Sequence, residues 1–139
     1  LGLTDSVVFA GEVRDVPGLL QGGDAFLLAS DSESFGLAAL EAMACGLPVV
    51  STDGGGIAEL VRDGETGLVV PSEDSSALAR RMLSLLDDPV AARAIGEAGR
   101  RDVLARFGTA TMVERTVAVY NEVIGRGEGL NQPGKDGAE

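Results

Sequence analysis

Histidine and tryptophan are absent from the 139 residues, and cysteine occurs once, as Cys45. Without histidine, a Ser-His-Asp triad, a Cys-His pair and a histidine-based zinc site are excluded. A lone cysteine excludes an intramolecular disulfide and points to a reducing, cytoplasmic setting. Set in an apolar stretch, Cys45 fits a small buried residue better than a reactive thiol. Lysine also occurs once, at Lys135. An anion held by the body of the chain must therefore rely on arginines or backbone amides. No apolar run approaches the roughly 18 residues of a membrane span, and no charged-then-apolar leader opens the chain, which therefore reads as soluble. An initiating methionine is missing too. The opening Leu1-Gly2-Leu3 suggests a fragment or a processed chain.

What is present is 45% hydrophobic residues and 20 glycines. That mixture fits one α/β domain with tight turns rather than a disordered chain. The net charge of −11 makes nucleic acid and anionic membrane surfaces poor partners. Four short apolar runs, at 7–10, 25–29, 48–51 and 68–70, have the composition of strands buried on both faces of a parallel sheet. Helical segments are expected at 17–21, 35–44 and 57–61 between them, the alternation of βαβ units. Leu78, Met82, Leu85 and Leu86 then mark an amphipathic helix that stops before Pro89. Asp88 is placed to cap the next helix, with Pro89 as its first residue. A last helix is expected over 109–124, with Val113, Val117, Tyr120 and Ile124 on one face and Gly125 ending it. The domain thus spans residues 1–124, and 125–139 is expected to be a flexible tail.

The informative stretch runs Ser30-Asp31-Ser32-Glu33-Ser34-Phe35-Gly36-Leu37, then Ala38-Ala39-Leu40-Glu41-Ala42-Met43-Ala44-Cys45-Gly46-Leu47-Pro48-Val49-Val50. It follows one expected strand and opens a helix, the place where open α/β sheets collect ligands on unpaired helix-end amides. Phe35, Gly36 and Leu37 would supply those amides, and bare Gly36 would let a phosphate or sugar come close. Glu33 stands before the helix and Glu41 about 9 Å further along its axis if Phe35 begins it. Both carboxylates accept hydrogen bonds from hydroxyls. Taken alone, they equally fit a helix-dipole partner and a solvated helix residue.

The wider pattern resembles glycosyltransferase family four, the group 1 retaining enzymes. It comprises Glu33 and Glu41 with seven residues between them, the run through Val50, Gly54-Gly55, Glu59-Leu60-Val61 and Gly64-Glu65-Thr66-Gly67-Leu68-Val69. By contrast, Gly54-Gly55-Gly56 does not match the dinucleotide fingerprint, because position 59 is glutamate. The resemblance implies a GT-B architecture of two facing Rossmann-like domains, with this chain as the C-terminal, donor-binding one. It implies that Glu33, the catalytic candidate, contacts donor-sugar hydroxyls and that Glu41 contacts the ribose. Phe35, Gly36 and Leu37 would face sugar or phosphate. Gly11, Glu12, Val13 and Arg14 would lie near the base, although Arg14 equally fits a plain surface arginine. The family retains anomeric configuration, and it requires no cofactor and no essential metal.

Two departures from the family stand out. Ala29 replaces a common proline, which alters loop stiffness more than chemistry. Two earlier strands, and the arginine and lysine that grip the diphosphate, have no counterpart here. In the strand order 3-2-1-4-5-6 this leaves 7–10 stranded from 25–29. The chain is then expected to shift its first strand, or to form a homo-oligomer through unpaired edges. The missing partner would be an N-terminal acceptor domain, which could also bring the protein to the inner membrane face. The isolated chain is expected to be inactive in transfer. A non-catalytic nucleotide-sugar binding module and a sugar-nucleotide epimerase fragment are the other readings.

Overall fold

The computed structural model describes residues 2–130, with the side chains of 126–130 left aside. The elements alternate in order. They are α1 (Val16–Gln21), β1 (Phe26–Leu28), α2 (Leu37–Ala44), β2 (Val49–Thr52), α3 (Ile57–Leu60), β3 (Leu68–Val70), α4 (Ser75–Asp87), α5 (Pro89–Phe107) and α6 (Thr109–Leu130). The strands form one parallel sheet in the order β1-β2-β3, with Phe26 opposite Val49 and Val50 opposite Leu68. This is a partial Rossmann-like α/β sheet followed by helices, as the alternation of short apolar runs implies.

β2 is the middle strand and is buried along its whole length, which is why it reads as a continuous apolar and small-residue run. Val50 packs with Leu68, Leu85 and Ala92, and Leu78, Met82 and Ile95 close around them. Ala39, Ala42 and Met43 of α2 are fully buried, as are Ile57 and Leu60 of α3. α2 ends where glycine lets it. The Gly46 N–H donates to the Met43 carbonyl at 2.9 Å and the Leu47 N–H to the Ala42 carbonyl at 3.0 Å, with Gly46 at φ 86°. That paired closure needs a left-handed residue. Asp74 caps α4 through the Ala77 N–H at 2.7 Å, and Asp88 caps α5 through the N–H groups of Val90 and Ala91.

The structure corrects the sequence reading at three places. Residues 7–10 form no strand, and Val8 and Phe9 are 89% and 95% exposed. A strand exists through its ladder partner, and 7–10 pairs with neither edge of the three-stranded sheet, β1 or β3. The expected shift of this strand to a new place in the sheet does not occur among the described residues. Second, α2 begins at Leu37, so Phe35 and Gly36 precede the helix. Third, α6 continues through Gly125 to Leu130. Residues 126–130 are thus helical, and the rest of the expected tail, 131–139, lies outside the described residues.

The chain divides into two compact units. The first, residues 1–104, holds the sheet, α1 to α4 and most of α5. The second, from residue 105, holds the end of α5 and all of α6, on which Val113, Val117, Tyr120 and Ile124 are exposed. No helix of the described residues is long and apolar enough to cross a membrane.

Candidate functional site

The loop from β1 to α2 leaves the carboxyl edge of the sheet, and its course is dictated by a second loop. The Thr52 hydroxyl donates to the Ser30 carbonyl. Beyond it, Glu33 and Gly55 form an isolated parallel bridge. The Glu33 N–H donates to the Gly54 carbonyl at 3.4 Å, and the Gly56 N–H donates to the Glu33 carbonyl at 2.8 Å. A Cβ at Gly54, Gly55 or Gly56 would strike the backbone carbonyl of Asp31, Glu33 or Ser34 respectively. The three glycines are therefore bare because two backbones touch. The sequence pattern counts Gly54-Gly55 toward the family resemblance, while the triplet by itself is no dinucleotide fingerprint. Its true role is mechanical, and the signal for it was three adjacent glycines directly after a buried strand.

Gly36 caps the N-terminus of α2 at φ 87°, a conformation that disfavours any side chain. A Cβ there would lie 2.6 Å from Ile57 Cδ1, and Gly36 is buried. The missing side chain thus makes room for Ile57, whereas the sequence reading reserved that space for a ligand. The Gly36 and Leu37 N–H groups donate to no group among the described residues, and Leu37 is 64% exposed. Such donors at a helix start are the unsatisfied groups that attract anions.

Glu33 is half-buried in the bridged loop, and Glu41 is exposed on α2. With α2 starting at Leu37, Glu41 lies about 6 Å along the axis from that start. It lines a cavity of ≈ 230 Å³ with Val16, Pro17 and Leu20 of α1 and with Ala44 and Cys45. Cys45 is half-buried, a wall of this cavity rather than a fully enclosed core residue. Gly11, Val13 and Arg14 lie in the segment that leads into α1. Gly11 and Arg14 are exposed, and Val13 is half-buried. They are thus near in sequence to the helix that faces Glu41.

Behind the glycine loop, Asp53 accepts the Ser72 N–H at 2.8 Å and the Ser72 hydroxyl at 2.9 Å. These two bonds, the backbone one foremost, hold its carboxyl below the usual aspartate range. A larger cavity, ≈ 440 Å³, is elsewhere, lined by Asp24, Pro48, Leu86 and Arg93 among others. Asp24 and Pro48 precede β1 and β2, so that cavity lies at the amino ends of the strands. Ligands of open parallel sheets collect at the carboxyl ends.

Residues 1–102 match the family described as glycosyl transferases group 1. The chain is 38% identical over 124 residues to N-acetyl-alpha-D-glucosaminyl L-malate synthase of Bacillus anthracis, covering 89% of this chain and 32% of that protein. It is 40% identical over 124 residues to the lipopolysaccharide core biosynthesis mannosyltransferase LpcC of Rhizobium leguminosarum bv. viciae, covering 89% and 35%. Among solved structures, Anabaena Alr3699/HepE in complex with UDP-glucose superposes with a TM-score of 0.84 at 30% identity, covering 88% of this chain and 34% of that one. The chain spans about a third of the length of the curated relatives it matches.

Proposed function

The chain belongs to the group 1 glycosyl transferases, with the fold of GT-B enzymes, and from that premise we propose that it forms the donor-nucleotide site of a retaining sugar transferase. The observation that carries this reading is the pair of N–H groups at Gly36 and Leu37 that no described residue accepts, set in the chain between the bridged Glu33 and the cavity-lining Glu41. Support comes also from a structural neighbour that was crystallised with UDP-glucose.

In this reading the donor's diphosphate lies against the first turn of α2. The Gly36 and Leu37 amides, with that of Phe35, stabilise the negative charge that grows on the diphosphate as the glycosidic bond breaks. Glu33, placed before the helix, accepts hydrogen bonds from sugar hydroxyls and orients the anomeric carbon. Glu41 accepts from the ribose hydroxyls, and the apolar wall made by Val16, Pro17 and Leu20 borders the nucleoside. The base lies toward Gly11, Val13 and Arg14. Configuration is retained, and the acceptor and further cationic groups come from a facing N-terminal domain. Without that domain the chain binds donor but does not transfer sugar. Residues 1–124 form the donor domain, the setting is cytoplasmic, with the inner membrane face reached through the facing domain, and the free edge of β1 is where a second copy would pair.

Calorimetric titration with UDP-glucose and with GDP-mannose tests the proposal. Binding of one donor, weakened roughly tenfold or more by Glu33→Gln and by Glu41→Gln, is the expected result, because hydrogen bonds to a carboxylate contribute about 1.5–3 kcal/mol. Equal affinity in wild type and both variants would sink it. A radiolabelled transfer assay with an acceptor domain added in trans then separates a transferase from a binding module.

A further inference from the structure

The loop that grips Glu33 is built from the least restrained residues available. Gly54, Gly55 and Gly56 run in succession, and each glycine gives up more conformational freedom on folding than any other residue. A loop of this kind keeps one shape only if its ends are held. At its far end Ile57 is buried to 1% exposure and fills the space beside Gly36. At its near end stands Asp53. Its N–H donates to the Val70 carbonyl at 2.9 Å, and its carboxylate Oδ1 takes both the N–H and the hydroxyl of Ser72. The turn it grips is itself under strain, since Glu73 has φ 66°, a left-handed value on a residue that carries a side chain. Asp53 and Asp74, which caps α4 from the other side of Glu73, together hold this turn in place.

We propose that Asp53 is a positioning residue for Glu33: through Ser72 it anchors the start of the glycine loop whose far end hydrogen-bonds the Glu33 backbone, and so fixes where the Glu33 carboxylate stands. The connection is continuous in named bonds. It runs from Ser72 to Asp53, along the chain to Gly54, across to the Glu33 N–H, and back from the Glu33 carbonyl to the Gly56 N–H. Loss of the carboxylate leaves the near end of the three glycines held by the Asp53 N–H to Val70 alone, and the Glu33 backbone loosens with them. The proposal rests on the reading of Glu33 as the residue that faces the donor sugar.

Amide hydrogen exchange of the ligand-free chain, followed by NMR, tests the anchor without any donor. In Asp53→Ala the Gly56 amide exchanges at least about tenfold faster, while the ladder amides of β2 keep their protection. Asp53→Asn retains an oxygen acceptor and stays within about threefold of wild type, and Ser72→Ala, which removes only the hydroxyl bond, falls between. Unchanged Gly56 exchange in Asp53→Ala overturns the proposal. If Asp53→Ala loses protection throughout, Ser72→Ala decides: a faster Gly56 amide with intact β2 protection supports the anchor, and no change overturns it. Titration with UDP-glucose then tests the link to function at unchanged urea midpoint. Weaker binding in whichever variant frees Gly56, rescued in Asp53→Asn, supports the role assigned here, and undiminished binding overturns it. Failure of the wild-type chain to bind UDP-glucose or GDP-mannose would count against the donor-site reading instead, with the exchange data still deciding the anchor.

Discussion

Gly36 meets two demands at one position. It holds φ 87°, and its absent Cβ leaves room for Ile57. A left-handed backbone costs a side chain about 1–3 kcal/mol, and overpacking a fitted core costs a similar amount. Gly36→Ala is therefore expected to lower stability by about 2–4 kcal/mol, read from urea unfolding. Asp53 makes a prediction of a different kind. Its partners, the Ser72 N–H first and the Ser72 hydroxyl second, bind the charged carboxylate and lower its folded-state pKa from 3.8. The stability it contributes is whole above the unfolded-state value and is lost as pH falls through the lower folded one. Asp53→Asn should therefore flatten the decline of stability between roughly pH 5 and pH 2, lying below wild type near pH 7 and converging with it at low pH. A decline equally steep in wild type and variant would show that the Ser72 bonds do not favour the charged form.

At the scale of elements, α5 shows how a poor helix former can be the right one. Alanine normally stabilises a helix by about 1 kcal/mol over glycine. At Gly96, however, a Cβ would strike the Gly46 carbonyl and come 3.0 Å from the Pro48 nitrogen, and at Gly99 it would lie 2.7 Å from the Thr66 carbonyl. Backbone atoms cannot swing aside as a flexible side chain can. Gly96→Ala is expected to destabilise by about 1–3 kcal/mol, while Gly125→Ala in α6, where a Cβ meets nothing within 4 Å, should stabilise its helix by about 0.5–1 kcal/mol. Thermal melts of the two variants, moving in opposite directions, check both. The same elements show what a sequence can reveal. β2 and β3, and the cap at Asp88, were legible because burial on both faces and side-chain capping leave local patterns. Residues 7–10 have the apolar content of a strand, yet a strand is a pairing, and no local pattern says whether the partner exists. The start of α2 was misread by two residues because Gly36 looks like the interior of a loop-to-helix run, and only its contact with Ile57 shows why the helix waits for Leu37. Asp53 and Ser72 stand 19 positions apart in the chain, so no spacing rule links them.

Taken whole, the molecule is acidic, with a net charge of −11, and its only lysine lies outside the described residues. A site that holds a diphosphate in such a field relies on short-range backbone donors, against a long-range repulsion. Affinity for UDP-glucose should therefore hold steady or rise, by up to about twofold, as salt is raised from roughly 10 to 150 mM, because screening weakens the repulsion more than the close contacts. A steep fall with salt would mean that free cationic groups carry the binding. The whole also explains why one end of the sheet matters more than cavity size: the larger hollow near Asp24 and Arg93 lies at the amino ends of the strands, away from the unpaired amides of Gly36 and Leu37. The most direct measurement follows from that contrast. The ¹⁵N-labelled chain is titrated with UDP-glucose and with GDP-mannose, and the account predicts that the amides of Gly36 and Leu37, with Glu33 and Glu41, shift first and furthest. Shifts confined to the neighbourhood of Asp24 and Arg93, or none anywhere at millimolar donor, would contradict it.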